Sequence, residues 1–368
     1  MQALAAWAPP GSAQSYDNVG LQVGDAGREV AHALVALDLT PAVLEEARRL
    51  KSTLIITHHP LIFRPLRSIT AGGLVETLAL RLAEAGVALY SIHTNLDAAP
   101  GGVSFALADQ LGLEEVRFLD SFPETLYKLA TFVPLDHLEA VREALSEAGA
   151  GRIGVYEACA FAVEGTGYFK PGAGANPLIG TAGGDLEAVA EARLEVEVAR
   201  WDLDAVLQAL RKTHPYEKVA YDVYPVQQPN TRAGLGAIGR LPEAEPLDRF
   251  LMRVAECLGA GSLRYTGDPE AMIATVAVCG GSGSDFTRKA LAAGADAYVT
   301  ADITYHRFFE VLAADGRPRM ALIDAGHYET EAITEQLLVG WLSKRFPTVT
   351  WHRTRIRTSP VDTFVPTF

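Results

Sequence analysis

Cysteine is scarce in this chain. There are three in 368 residues, Cys159, Cys257 and Cys279. They are isolated and odd in number, which fits neither a disulfide framework nor a cysteine-built zinc site. Basic residues are also few: 32 Lys and Arg stand against 45 Asp and Glu, for a formal net charge of −13. That sign is wrong for a protein that grips phosphate backbones by bulk charge, and no Lys/Arg-rich run exists, so nucleic acid is disfavoured as a partner. No apolar stretch approaches the roughly 18 residues of a membrane-span candidate. Met1–Pro10 lacks the basic flank of a secretory signal. The expectation is a cytoplasmic protein with no membrane partner.

What is present is ordinary globular composition, 49% hydrophobic and 21% charged. At roughly 150 residues per domain, the length suggests two or three domains. The first third alternates strand and helix signals. His32–Leu39 and Ser52–Thr57 are short apolar runs of strand length, and Val87–His93 is a third. Between them, Thr40-Pro41 starts a helix to Leu50, and Gly73–Gly86 reads as another. The last third repeats the grammar. Ile273–Cys279, Ala297–Thr300 and Met320–Ile323 read as strands, Asp285–Ala293 and Glu329–Phe346 as helices. Such alternation predicts parallel sheets with covering helices.

The middle differs. Tyr127–Val133, Leu135–Ala148, two strands (one near Leu194–Val198), Leu203–Thr213 and Val219–Val226 give a β-α-β-β-α-β order, the ferredoxin-like pattern. Gly165–Gly184, rich in glycine, is expected to be a mobile loop, and Gln227–Thr231 a linker. The expected architecture is therefore α/β. One lobe spans residues 1–121 and a second 229–368, the two forming one discontinuous core around an inserted α+β domain over 122–228.

Three turns collect chemistry. Thr57-His58-His59-Pro60 follows one predicted strand, Ser91–Asp97 (SIHTNLD) the next, and Asp324–Glu331 (DAGHYETE) follows Met320–Ile323. In open parallel sheets, ligands gather beyond the carboxyl ends of strands. Each turn alone has an ordinary reading: locally bonded histidines, an Asp capping a turn, acids in a first helical turn. Jointly they place His58, His59, Asp97, His327 and Glu331 at strand ends. His327 and Glu331, four apart, share a helix face. Asp97 is a carboxylate that can bridge two cations. Five nitrogen and oxygen donors without a thiolate suit two divalent ions, and such a pair can activate water. His306, in TADITYH after another strand, is a candidate proton donor or a helix-face histidine. Gly280–Gly283 before a helix could receive an anion on its N–H groups. His214–Glu217 reads as a structural turn.

SYDNVGLQVG (Ser15–Gly24), the THHP turn, HTNLD, TADITYH and DAGHYETE occur in that order. Together they resemble the dinuclear-metal, hexameric family of GTP cyclohydrolase I type 2 homologues, the NGG-interacting-factor-like proteins, over nearly the whole chain. EGTGYFKP (Glu164–Pro171) and HPYEKVAYD (His214–Asp222) resemble its long bacterial subgroup, whose insert is similar to PII and CutA folds. The resemblance implies two α/β lobes flanking a dimetal cleft, a toroidal homohexamer, and metal ligands at His58, His59, Asp97, His327 and Glu331. It places His93 and His306 near the site without being ligands. Tyr16 stands where the family usually has Trp, and the short first helix suggests a start that misses some N-terminal residues.

The family name implies water attack at purine C8 of GTP, with His93 or His306 as the acid that protonates the departing nitrogen. The cofactor expected is two divalent ions per subunit: Zn, Mn, Fe, Co or Ni. Two other readings share the site. One is a metal-dependent phosphoester hydrolase. The other is a non-catalytic regulatory assembly.

Overall fold

A computed structural model describes residues 1–364; the last four residues of the expected third segment lie outside them. The chain divides into two compact units. One comprises Met1–Asp120 together with the chain from Ala233 on, and the other is Ser121–Arg232. The fold is mixed α/β with three sheets.

The first unit holds two of them. In one, Leu54–Thr57 lies between Ala88–Ser91 and His32–Ala36, all parallel, with Thr350–Arg353 parallel at the far edge. Gly20–Val23 adds an antiparallel edge. In the other, Ala321–Asp324, Ala297–Thr300 and Met272–Val278 run parallel. Arg264–Thr266 borders them on one side, Asn230–Pro246 and Glu114–Phe122 on the other. The strands are buried on both faces and read as near-continuous apolar runs for that reason.

Local chemistry sets the helix ends. Thr40 Oγ1 accepts the Val43 N–H at 3.2 Å ahead of Pro41–Arg49, with Pro41 at the first position. Leu74–Ala85 closes at Gly86, whose φ of 62° is left-handed. The long helix expected over Glu329–Phe346 is two: His327–Glu331, a turn at Ala332, then Ile333–Arg345. It starts two residues earlier than expected, at His327, with Gly326 before its first turn. Asp285–Ala293 is likewise a 3-10 turn, Ser284–Phe286, followed by Thr287–Ala292.

Ile333–Arg345 packs Leu338 and Leu342 against Val35, Ile56 and Tyr90 of the first sheet. Its Glu335 is buried and accepts the Leu37 N–H at 3.0 Å. Burial pushes that carboxyl up to about 7. An acid raised this way favours the fold while both states are protonated. That benefit is lost as pH rises from its ordinary range near 4.5 through about 7. Glu335→Gln keeps the acceptor and removes the charge. It should stabilise the protein by about 2–4 kcal/mol at pH 8 and by almost nothing near pH 4.5, read from urea unfolding at both values.

The second unit follows the order strand, helix, strand, strand, helix, strand. Its antiparallel sheet runs Ala160–Phe169, Glu187–Ala199, Leu126–Pro134, Tyr221–Val226. Helices Leu138–Glu147 and Leu203–Thr213 cover one face, over Leu129, Val133, Leu194 and Val196. The glycine-rich segment expected as a loop from Gly165 is strand up to Phe169. Gly165 and Gly167 pair with Glu191 and Val189. Glycine here marks a close approach within a strand, since a Cβ at Gly167 would collide with the Glu191 carboxylate. The Gln227–Thr231 linker is partly strand as well, since Asn230–Pro246 begins inside it.

Candidate metal centre

The carboxyl ends of strands from both sheets of the first unit meet. His58 and His59 follow Leu54–Thr57, and His93 follows Ala88–Ser91. Asp97 ends the short helix Thr94–Asp97, and His327 and Glu331 bound the helix after Ala321–Asp324. Glu331 lies at the centre. Its Oε2 is 2.9 Å from His59 Nε2 and 3.0 Å from His327 Nε2, and those nitrogens are 3.4 Å apart. Its Oε1 is 3.8 Å from His58 Nε2, which is 3.7 Å from Asp97 Oδ1. Two donors each about 2.1 Å from one ion stand about 3.0–3.4 Å apart, so the His59–His327–Glu331 set has the spacing of a single coordination sphere.

Two buried atoms have no hydrogen-bond partner here, His58 Nε2 and Glu331 Oε2. Each is costly to leave without a partner, and a cation on either side of Glu331 would satisfy it, one between His58 Nε2 and Oε1 and one between Oε2 and the His59 and His327 nitrogens. The remaining ring nitrogens are fixed from behind. His58 Nδ1 bonds the Ile92 carbonyl at 2.8 Å. His59 Nδ1 bonds Asp38 Oδ1 at 2.7 Å, and His327 Nδ1 bonds Asp302 Oδ2 at 2.7 Å. Metal-ligating histidines are held this way, with Nε2 left for the ion. The residues present fit a divalent metal.

Charge follows geometry. Burial works against protonating His59, but Asp38 and Glu331 outweigh it and raise its pKa to about 10. The bond to Glu331 and the charge of Asp302 raise His327 to about 9 against its burial. Burial favours a protonated Glu331, yet the imidazoles of His327, His58 and His59 around it hold it well below the usual carboxylate range. Burial raises Asp97 to about 7 although His58 opposes the shift. The anionic cluster thus attracts cations, and protons serve where metal is absent.

His93 joins this group. Its ring lies 5.1 Å from that of His58 and 5.4 Å from that of His59, and a nitrogen of each of the three falls within 4.8 Å of the others. His93 Nδ1 bonds Asp17 Oδ1 at 2.9 Å. Burial tends to raise Asp17, but His93 and Thr94 bring it down to about 2. His306 is not brought to the group. It is exposed on the 3-10 turn Tyr305–Val311, against the rings of Tyr305 and Phe309.

Two of the four N–H groups of the Gly280–Gly283 turn are already engaged by side chains. Gly281 N–H donates to Thr330 Oγ1 and Gly283 N–H to Thr300 Oγ1, each at 3.0 Å. Its role is room. Gly281 has a φ of 58°, and a Cβ there would strike Glu331 Oε1. Cys279 beside it is buried, and its thiol is pushed up to about 12 by burial and by Asp97 and Glu331, so it stays protonated.

Sequence reasoning missed the carboxylates that orient the ligands. Asp38 follows His32–Ala36, so the strand-end rule applied to that run would have found it. Asp302 sits in TADITYH, and its left-handed φ of 55° turns its carboxylate to His327. Asp302→Ala should weaken metal binding about 10–100-fold, measured by competition with a chromophoric chelator, while Asp302→Asn retains part of it.

The model of the Duf34/NIF3 (NGG1p interacting factor 3) family matches residues 1–360. The chain belongs to this family. A Bacillus subtilis (strain 168) member named GTP cyclohydrolase 1 type 2 homolog is 39% identical over 336 residues, 91% of this chain and 89% of its own. A Mycobacterium tuberculosis member of the same name is 42% identical over 327 residues, 88% of this chain and 85% of its own. The crystal structure of a Bacillus cereus protein related to NIF3 superposes with a TM-score of 0.82 at 36% identity, over 99% of this chain and 97% of that one. In this NIF3 family member, no helix among the described residues is long and apolar enough to cross a membrane.

Proposed function

We propose that this chain is a hydrolase dependent on two divalent metal ions, with opening of the guanine ring of GTP at C8 as its nominal reaction. The observation that carries the reading is the division of Glu331. Its Oε2 faces His59 and His327 and its Oε1 faces His58, with one oxygen and His58 Nε2 buried and unsatisfied. On this reading His59, His327 and Glu331 hold one ion, and His58, Asp97 and Glu331 the other. Glu331 takes the bridging role that the sequence alone offered to Asp97. Zn, Mn, Fe, Co and Ni all accept such donors. Bound, the pair supplies Lewis acidity and lowers the pKa of water toward neutrality.

The chain's own residues do the rest. Asp38, Asp302 and the Ile92 carbonyl fix three imidazoles. His93, oriented by Asp17, keeps Nε2 without a hydrogen bond among the described residues, free to pass a proton to a departing nitrogen. The substrate is taken from the name carried by relatives such as those 39% and 42% identical. A cytoplasmic homohexamer, with an insert of the PII and CutA kind, completes the proposal.

The test is conversion of GTP to its ring-opened formamidopyrimidine, followed by chromatography, with any formate from a second hydrolysis read alongside, in metal-loaded wild type and Glu331→Gln at matched purity. Activity in the wild type that falls about a hundredfold or more in the variant supports the reading. Equal traces in both identify a contaminant. Silence in both, with metal measured in the wild type, overturns GTP as substrate and turns attention to phosphoesters or a regulatory role.

A further inference from the structure

Two sequence motifs have no part in the metal centre: Glu164–Pro171 and His214–Asp222. Both lie in the unit Ser121–Arg232, and residues of both line a single cavity of about 570 Å³ there. That volume is within the range of roughly 300–1,000 Å³ that takes small organic molecules.

The sheet face not covered by helices supplies the floor. Gly165 pairs with Glu191, and Arg193 with both Val163 and Phe132. Directly opposed side chains share a face, so these residues point the same way. Phe169 and Tyr216 meet edge to face at 5.8 Å on the wall. The connection over 170–186 is tied down by the Asn176 N–H, which donates to Glu217 Oε2 at 2.8 Å.

The polar anchor is Glu191. It is only 7% exposed, and its Oε1 accepts the Tyr216 hydroxyl at 2.6 Å. Burial and the neighbouring carboxylate hold that phenol well above its usual pKa, so it remains a donor. Glu191 Oε2 accepts no hydrogen bond and Glu191 has no ion pair among the described residues. Two cations also line the wall, Arg193 and Lys218, and neither pairs with Glu191 among the described residues: Arg193 Nε bonds Glu195 Oε1 at 2.9 Å, and its guanidinium lies over the Phe132 ring at 5.9 Å. Of the five charged residues on the wall, three are carboxylates (Glu164, Glu191 and Glu217). A buried carboxylate with a spare oxygen seeks a cationic N–H donor, and aromatic faces attract cations as well. Both features select the same sign. Gly165, opposite Glu191, keeps the space open, since a Cβ there would meet nothing within 4 Å.

We propose that this cavity binds a small organic cation, its ammonium or amidinium group on Glu191 and its flat apolar body against Phe132, Phe169 and Tyr216. The probe is proflavine, a flat aromatic cation, titrated by fluorescence into the full chain at about 0.15 M salt to screen general attraction to an acidic protein. The anionic dye anilinonaphthalene sulfonate serves as the charge-reversed control. Glu191→Gln keeps the shape and the Tyr216 acceptor but removes the charge, and should weaken proflavine about tenfold or more. Gly165→Leu fills the cavity and should abolish binding. Unchanged metal content and circular dichroism show that both variants fold. Saturable binding that both variants reduce supports the site. No wild-type binding, undiminished binding in either folded variant, or preference for the anionic dye overturns it.

Discussion

Glu331→Gln should leave a folded protein that carries less than roughly half of the wild-type metal. Glutamine matches the shape of glutamate but offers one oxygen, and its amide nitrogen is no ligand. Glu331 addresses His58 through one oxygen and His59 and His327 through the other, so the substitution strips one side whichever way the amide turns. It also removes one of two buried carboxylates from a site asked to neutralise two dications. Plasma mass spectrometry of purified protein, with circular dichroism as the folding control, measures the outcome. Wild-type metal content in the variant would remove Glu331 from the ligand set and, with it, the bridging arrangement.

Stripping the metal should lower the melting temperature by about 4–8 °C for each ion lost. An ion present at about a thousand times its dissociation constant stabilises the folded state by about 4 kcal/mol. In a protein of this size each kcal/mol moves the midpoint by about 1–2 °C. The shift should sit toward the lower end. Without metal, protonated His59 and His327 still pair with Glu331, which relieves part of the repulsion. Calorimetry of chelated and reloaded protein reads the difference, and recovery on adding metal separates linkage from damage. A shift under about 2 °C would mean that the cluster holds cations too weakly to act as a resident centre.

The candidate site was legible because one rule governed it. Parallel strands deliver side chains at their carboxyl ends, and the histidines and carboxylates after Thr57, Ser91 and Asp324 fall there. Helix signals were as direct. Thr40-Pro41 fixed one start, and Leu203–Thr213 has the expected bounds. The failures share a cause. A residue's composition signal says nothing of its partner across the chain. Gly165 and Gly167 looked like loop because glycine is permissive, while their strand exists to meet Glu191. Gly280–Gly283 could receive an anion on its N–H groups, while Thr330 and Thr300 take those of Gly281 and Gly283. Asp38 and Asp302 carried no signal of their own in the sequence, since only the fold sets them beside His59 and His327. His306, read from a strand end as a proton donor or a helix-face histidine, lies exposed against the rings of Tyr305 and Phe309.

The point at which the middle segment leaves and rejoins the first unit has a consequence for ancestry. Glu114–Phe122 and Asn230–Pro246 are neighbours in one sheet, and Gly234 lies so close to the Asp120 carbonyl that a Cβ would collide with it. Exit and re-entry are thus side by side, a gap that a short hairpin turn closes. A gene losing the codons for 121–232 would keep every strand-end residue of the metal cluster, and one gaining them would need no new sheet. By chain path alone, the middle segment is separable from the two sheets that carry the cluster.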